Sequence, residues 1–484
     1  MVARIRPAVE TGGVSPLHED RYLDPDPIVR RYARALYDET RALPIVSPHG
    51  HVDPAILASD DAFKDPASLI ITSDHYVLRL LYSRGVPLEW LGVAPIDGKA
   101  PGAEPNPRRI WQIFVDNWQL FRGTPTRAWL EYVLHEVFGV QHELDSASAP
   151  VVYDALAEQL QSPEFRPRAL FKRFNIEVLA TTDAASDTLE HHQALRTVEL
   201  GGRVIPTFRP DALFRIASPG WSAELARFER VSGGTIGSYA ELMRAVARRR
   251  ADFKAMGATA TDHAVVVPRT ERLKDSEAER IFNKAGERAA TEEDQARFEA
   301  HLLMEMARMS VDDGLVMQLH AGALRDHNEL VYRRFGSDRG GDIPVTTEFT
   351  RNLRPLLNAY GNDARFRLIV FTLDESTYSR ELAPLAGHYP AMLLGAPWWF
   401  HDSMEGMKRF RQDTTETAGI QNTAGFTDDT RAFCSIPARH DLARRVDANY
   451  LGGLVARHVI DMTGASEMAR ALACDLAKRA YRLT

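Results

Sequence analysis

The ten residues from Ile45 to Pro54 read Ile-Val-Ser-Pro-His-Gly-His-Val-Asp-Pro, with His49 and His51 two positions apart. On an extended segment that spacing turns both imidazoles to one face, and the small Gly50 between them lets them converge. Neutral imidazole is the commonest metal ligand, and a His-x-His at a strand end can hold one cation about 2 Å from each ring nitrogen. Two solvated histidines at a polar strand end are the other reading of this stretch taken alone. The chain has only two cysteines, Cys434 and Cys474. They are too few for a disulfide framework or a thiolate zinc site, so a metal must be held by histidines and carboxylates.

Further polar residues end short apolar runs along the chain: Thr181-Thr182-Asp183, Phe208-Arg209-Pro210-Asp211, Thr261-Asp262-His263, Gln318-Leu319-His320, Trp398-Trp399-Phe400-His401-Asp402 and Thr427-Asp428-Asp429-Thr430-Arg431. For Asp183, Asp211 and His263 taken singly, helix capping or a satisfied core position is the default explanation. Asp428 and Asp429 differ. In a closed barrel the last strand neighbours the first, so one of these acids can reach a metal between His49 and His51. Adjacent residues on a strand face opposite ways, so only one of the two can do so.

The elements that would position these groups are legible in outline. Asp26-Pro27 reads as an N-cap with proline in the first turn, followed by Ile28, Val29, Tyr32, Ala35 and Leu36 at helical spacing. From about residue 55 to 174 the apolar period stays helical and no strand is expected. Within that stretch Asp74 starts a helix carrying His75, Tyr76 and Arg79, and Ile110, Trp111, Phe114, Val115 and Trp118 form an apolar stripe ended by Gly123. The free N–H groups of the helix beginning near Asp74 suit an anion. After Ile176 short apolar runs alternate with helical stretches, as in repeated β/α units. With the Ile45 run they make about eight, the number a (β/α)₈ barrel requires. No Gly-x-Gly-x-x-Gly follows the first strand, which sets a doubly wound sheet well behind. The expected organisation is an N-terminal helix and first strand (1–54), a helical insertion (55–174), and the rest of the α/β TIM barrel with C-terminal helices (175–484). The charged run from Arg269 to Asp294 reads as a solvated excursion.

At 484 residues, 44% hydrophobic and 26% charged, the chain is long enough for a large core and is not a disordered composition. A net charge of -7 gives no reason to expect nucleic acid or an acidic membrane as partner, leaving a small molecule. The stretch from Met1 to Asp26 has no apolar signal region and no run approaches a membrane span, so a cytoplasmic location is expected.

These motifs together resemble the uronate isomerases, ketol isomerases of glucuronate and galacturonate in the amidohydrolase superfamily. The resemblance spans His49 to Arg445. It is carried by His49-x-His51, by Asp74-His75-Tyr76 with Arg79, and by Arg209-Pro210-Asp211. It continues in His320-Ala-Gly-Ala-Leu-Arg325, Trp398-Trp399-Phe400 with Asp402, Asp429-x-Arg431, and Arg439-His440. It implies that Asp429 is the metal-proximal carboxylate and that Arg431 lies in the active site. It also implies that His75, Tyr76, His320, Arg325 and Trp399 match active-site positions, and that the enzyme is a homo-oligomer with one divalent ion, zinc. Thr430, Asp428 and His401 depart from the family's usual Ser, Thr and Asn. None of these removes a ligand.

An aldose-to-ketose conversion moves a proton from C2 to C1 through a cis-enediol. It needs a base, a proton route between the oxygens, and stabilisation of negative charge. Asp429 suits the base, a divalent ion with Arg431 or Arg325 the charge, and an arginine with His75 the uronate carboxylate. A metal-dependent hydrolase of the same superfamily (a deaminase, lactonase or amidohydrolase) is the alternative. It would want further histidine ligands, yet the sixth strand ends Thr372-Leu373-Asp374. A non-catalytic sugar-acid binder has no need of a carboxylate beside a His-x-His.

Overall fold

A computed structural model of the chain describes residues 16–98 and 104–483. Its centre is a (β/α)₈ barrel. The first strand, Ile45–Ser47, pairs in parallel with the second, Ile176–Ala180, which pairs with the third, Arg203–Ile205. The second and third strands break at their Thr-Thr and Pro-Thr pairs and resume as Asp183–Ala184 and Phe208–Arg209. Across the break the register is unchanged, Val178 facing Arg203 and Asp183 facing Phe208, and the N–H groups of Thr181 and Asp183 still donate to Ile205 and Thr207. The ladder continues through Ala260–Val265, Val316–Ala321, Leu368–Thr372 and Met392–Leu394, every pairing parallel.

The eighth stave of the barrel differs from the strand expected to end at Thr427-Asp428-Asp429. Residues 423–430 form no regular strand, because they bond to the seventh strand only at their start and to the segment just after the first only at their end. A bridge joins Leu394 to Thr423, the Ala424 N–H donates to Leu394 O at 2.8 Å, and the His51 N–H donates to Thr430 O at 3.0 Å. Those contacts close the barrel.

Between Pro54 and Arg173 the described residues form helices and turns and no strand. The apolar stripe is buried, but its helix, Pro107–Asp116, ends before Trp118, which lies in a separate 3₁₀ turn. The N-terminal helix, Pro27–Thr40, is capped by Asp26, whose Oδ1 accepts from the Ile28 and Val29 N–H groups. Its buried face is Ala33, Leu36 and Thr40, with Ile28 in solvent. That face crosses helix Ile436–Ala456 at Gly452, where a Cβ would stand 2.9 Å from the Ala33 nitrogen. The charged run at 269–294 is more ordered than an excursion. Helix Asp275–Gly286 buries Ile281 and Phe282, and Thr291 and Asp294 form a capping box on helix Glu292–Asp313. Arg297 ties Glu271 to Glu277 at 2.7 and 2.6 Å. A single-stretch charge reading misses this because the apolar residues recur at helical spacing beneath the charges.

The chain's last residues return to the barrel. Tyr481 is fully buried and its hydroxyl donates to Gln318 Oε1 on the fifth strand at 3.0 Å, while Arg203 donates to the Leu483 carbonyl. We expect Tyr481→Phe to cost about 1–2 kcal/mol, the worth of a buried hydrogen bond left half-made. Tyr481→Ala should cost about 3–5 kcal/mol through the added cavity. Urea denaturation checks both, and an unchanged stability of Tyr481→Phe would show that the hydroxyl contributes nothing.

Candidate active site

Pro48 has no N–H to extend the first strand, which therefore ends at Ser47. His49 and His51 thus lie just beyond the strand rather than alternating along it. Their rings meet edge to face with centroids 5.3 Å apart. His51 is fixed by its backbone bond to Thr430 O, and the intervening Gly50 carbonyl accepts from Thr182 Oγ1 at 2.9 Å. His49 is buried. Burial, with His320 and His51 beside it and against the pull of Asp262 and Asp429, lowers its pKa to about 4, so it is neutral at pH 7.

Asp428 and Asp429 diverge, for a reason other than strand alternation. Asp429 has φ of +39°, in the left-handed region that non-glycine residues seldom enter. That kink turns its Oδ1 to 3.1 Å from His51 Nε2 and 3.5 Å from His49 Nε2. Asp428 instead accepts from His440 Nε2 at 3.0 Å within the core. Burial opposes ionisation of Asp429, but the facing imidazoles of His51, His49 and His320 outweigh it and hold the carboxyl far below its ordinary range.

A cavity of about 810 Å³ opens over these groups, and His75, Tyr76, His320, Arg325, Trp399 and Arg431 also line it. His320 Nδ1 lies 2.7 Å from Asp262 Oδ1, and its ring is stacked on Phe371 and on His49. The Asp262 carboxyl, although buried, is held well below the usual range by His320 and Arg209, whose Nη1 is 3.3 Å away. Arg325 is anchored to Asp342 at 2.9 Å and lies over the Trp399 ring, and Arg431 faces Asp338 at 3.5 Å. Trp399 also has a left-handed backbone, with φ of +50°. His75 stacks on Tyr76 and meets Trp399 edge-on. Burial and the nearby Arg431 lower its pKa to about 3, leaving it neutral.

The helix carrying His75 does not offer a free anion site. Asp74 is its N-cap, and its own carboxylate accepts from the Tyr76 and Val77 N–H groups at 2.8 and 3.4 Å. The anion position expected for a substrate carboxylate is therefore filled from within the chain. Tyr76 is likewise committed, its hydroxyl donating to Asp402 Oδ2 at 2.8 Å. Sequence reasoning placed Asp262 and Arg209 at strand ends without giving either a role, and it did not reach Asp338. Asp262 had a signal, an acid flanked by Ala260 and Ala264 on one face of the fourth strand. Asp338 had none, because only the folded loop brings it to Arg431.

Among the described residues two triads bring ligand atoms together, His49–His51–Asp429 and His49–Asp262–His320. The first fits a cation better. Two ligands each about 2.1 Å from one ion in tetrahedral geometry stand roughly 3.4 Å apart, close to the separations of Asp429 Oδ1 from the two Nε2 atoms, and that oxygen has no hydrogen-bond donor aligned on it. In the second triad His320 Nδ1 and Asp262 Oδ1 already pair with one another, leaving His320 Nε2 and Asp262 Oδ2 without hydrogen-bond partners.

The glucuronate isomerase family model matches residues 20–480. A uronate isomerase of Nostoc punctiforme is 56% identical over 96% of this chain and 98% of its own, and one of Rhizorhabdus wittichii is 53% identical over the same shares. Among solved structures, a glucuronate isomerase from Caulobacter crescentus superposes with a TM-score of 0.94 at 47% identity, covering 99% of this chain and 98% of that one. A uronate isomerase from Thermotoga maritima does so at 0.89 and 27%, covering 96% and 99%.

The two triads make different demands. If the first holds the cation, His51→Ala and His49→Ala/His51→Ala should lose stoichiometric metal by elemental analysis, while His320→Asn keeps it. Loss in His320→Asn with retention in His51→Ala would move the ion to the second triad.

Proposed function

The chain belongs to the glucuronate isomerase family and is an isomerase of uronates; on that footing we propose that Asp429 is the base that moves the proton between C2 and C1. The substrates of this reading are D-glucuronate, giving D-fructuronate, and D-galacturonate, giving D-tagaturonate. One observation carries it: a carboxylate, 16% exposed and turned toward both histidines, in the lining of a cavity that Arg325 and Arg431 also line.

The reaction removes a proton from C2 of the open-chain aldose, passes through a cis-enediol, and returns a proton to C1 while the oxygens exchange one. Asp429 takes and returns the carbon-bound proton, since a single base on one face of a cis-enediol reaches both carbons. Arg431, 3.5 Å from Asp338, stabilises the negative charge that develops on the oxygens. Arg325, backed by Asp342 and lying on Trp399, takes the uronate carboxylate with neutral His75 as a hydrogen-bonding neighbour. His320, with Nδ1 engaged by Asp262, presents Nε2 to a substrate hydroxyl, an arrangement supported by the absence of any protein partner for that nitrogen. His49, His51 and Asp429 would hold a divalent cation, zinc in this reading. When bound, it supplies Lewis-acid polarisation of a substrate oxygen.

The hydrolase alternative is not favoured. Asp374 after the sixth strand, where a further ligand would be wanted, accepts from the Thr347 and Ser376 N–H groups and the Ser376 hydroxyl. No helix among the described residues is long and apolar enough to cross a membrane. A cytoplasmic setting belongs to the same proposal, supported by two buried, unpaired cysteines of the kind a reducing compartment preserves. So does a homo-oligomer, supported by the exposed Ile96, Leu330 and Tyr332 around helix Glu329–Phe335.

The purified protein incubated with a panel of hexuronates in deuterated water should give the keto-uronates by NMR; hydrolysis of an amide or lactone without isomerisation would overturn the reading. Asp429→Asn keeps the shape of the side chain and removes its basicity. We expect kcat on glucuronate to fall about 10²–10⁴-fold, the loss typical of a missing general base. Asp428→Asn should cost far less. A near-normal Asp429→Asn beside a collapsed Asp428→Asn would reverse the assignment.

A further inference from the structure

Tyr76, Asp402 and Arg439 come from three distant parts of the chain and meet in one buried cluster. Tyr76 lies on helix His75–Tyr82 of the stretch between the first two strands. Asp402 follows the turn Trp399–His401 after the seventh strand, and Arg439 lies on helix Ile436–Ala456 beyond the eighth segment. The Tyr76 hydroxyl and Arg439 Nη1 donate to the same oxygen, Asp402 Oδ2, at 2.8 and 3.0 Å. Arg439 Nη1 also reaches the Asp428 carbonyl at 3.1 Å, and its guanidinium lies 3.7 Å from the centre of the Trp129 ring, which meets Tyr76 edge-on. Tyr76, Asp402 and Arg439 are each buried, and Asp402 Oδ1 has no partner.

A buried ion pair of this kind adds little net stability, because desolvating two charges offsets their attraction; its attested use is to fix geometry. Here the geometry fixed is specific. One end of the cluster is Tyr76, the ring on which His75 stacks at the cavity wall. The other end is the Asp428 carbonyl, one peptide from Asp429. Between them Arg439 and Asp402 link the wall to the segment that carries the base. The orphaned Oδ1 is a cost that a cluster built for stability alone would avoid.

We infer that Asp402 and Arg439 are positioning residues for the isomerisation, acting through Tyr76 and the Asp428 carbonyl to set the His75 wall against Asp429. The inference rests on the proposed roles of His75 and Asp429.

The test is a double-mutant cycle in the full-length, metal-loaded enzyme. Asp402→Asn and Tyr76→Phe should each lower kcat about 10- to 100-fold, the range a displacement near 1 Å produces, with KM changing less than kcat. The double variant should be no slower than the slower single, since both break one chain of contacts. Losses that multiply, or a normal kcat in Asp402→Asn, would overturn the inference. Should Asp402→Asn fail to fold, Arg439→Lys replaces it in the same cycle, because an ammonium cannot reach both Asp402 and the Asp428 carbonyl in the same geometry, and the same two outcomes decide. Failure of the wild-type enzyme to isomerise any hexuronate would sink the function reading instead, and is read separately.

Discussion

Closing the barrel brings the segment after the first strand against residues 423–430, and among the described contacts the closure at this end runs through the His51 N–H and the Thr430 carbonyl. That bond fixes His51 beside the residue preceding Thr430. Asp429 enters the same space only because its backbone takes a left-handed conformation, which directs one carboxylate oxygen at both histidines. Such strain persists where the surroundings over-determine it. Here the surroundings are the His51–Thr430 bond on one side and the Asp428 contacts to His440 and Arg439 on the other.

Charge is distributed around this point in fixed pairs. Arg209 lies between Asp211 and Asp262, His320 is held by Asp262, and Arg325 by Asp342. Each of these two arginines is thereby oriented before a substrate arrives, which lowers the reorganisation needed during the reaction. His49 and His75 are kept neutral by burial, so both present lone pairs or single donors rather than charge.

The parts outside the barrel complete the site. The helical stretch between the first two strands supplies the His75–Tyr76 wall, and helix Glu292–Asp313 forms part of the cavity's far side through Gln295 and Glu299. The C-terminal Tyr481 fills the barrel interior from Gln318, two residues before His320. These are long-range placements: 326 residues separate Tyr76 from its partner Asp402, and 163 separate Gln318 from Tyr481.

The fold class was legible in the sequence because its cause is local and repeated: apolar runs bounded by polar strand ends recur with helical stretches between them. The His49-x-His51 spacing and the Asp26 and Asp74 caps were legible for the same reason, since each depends on residues within a few positions. The ends of elements were less so. Pro48 stops the first strand before the histidines, and the helix of the tryptophan stripe ends before Trp118, because hydrogen-bond continuity decides an end and periodicity does not. Tertiary structure alone decided how Asp428 and Asp429 diverge, since a backbone kink held by distant bonds replaces strand alternation. It alone showed Asp74 occupying the helix terminus meant for a substrate anion, and Asp402 holding the Tyr76 hydroxyl. It also brought Asp262 to His320 and Asp338 to Arg431, because partners on different strands and loops are fixed by barrel register and loop path, which residue types do not encode at short range.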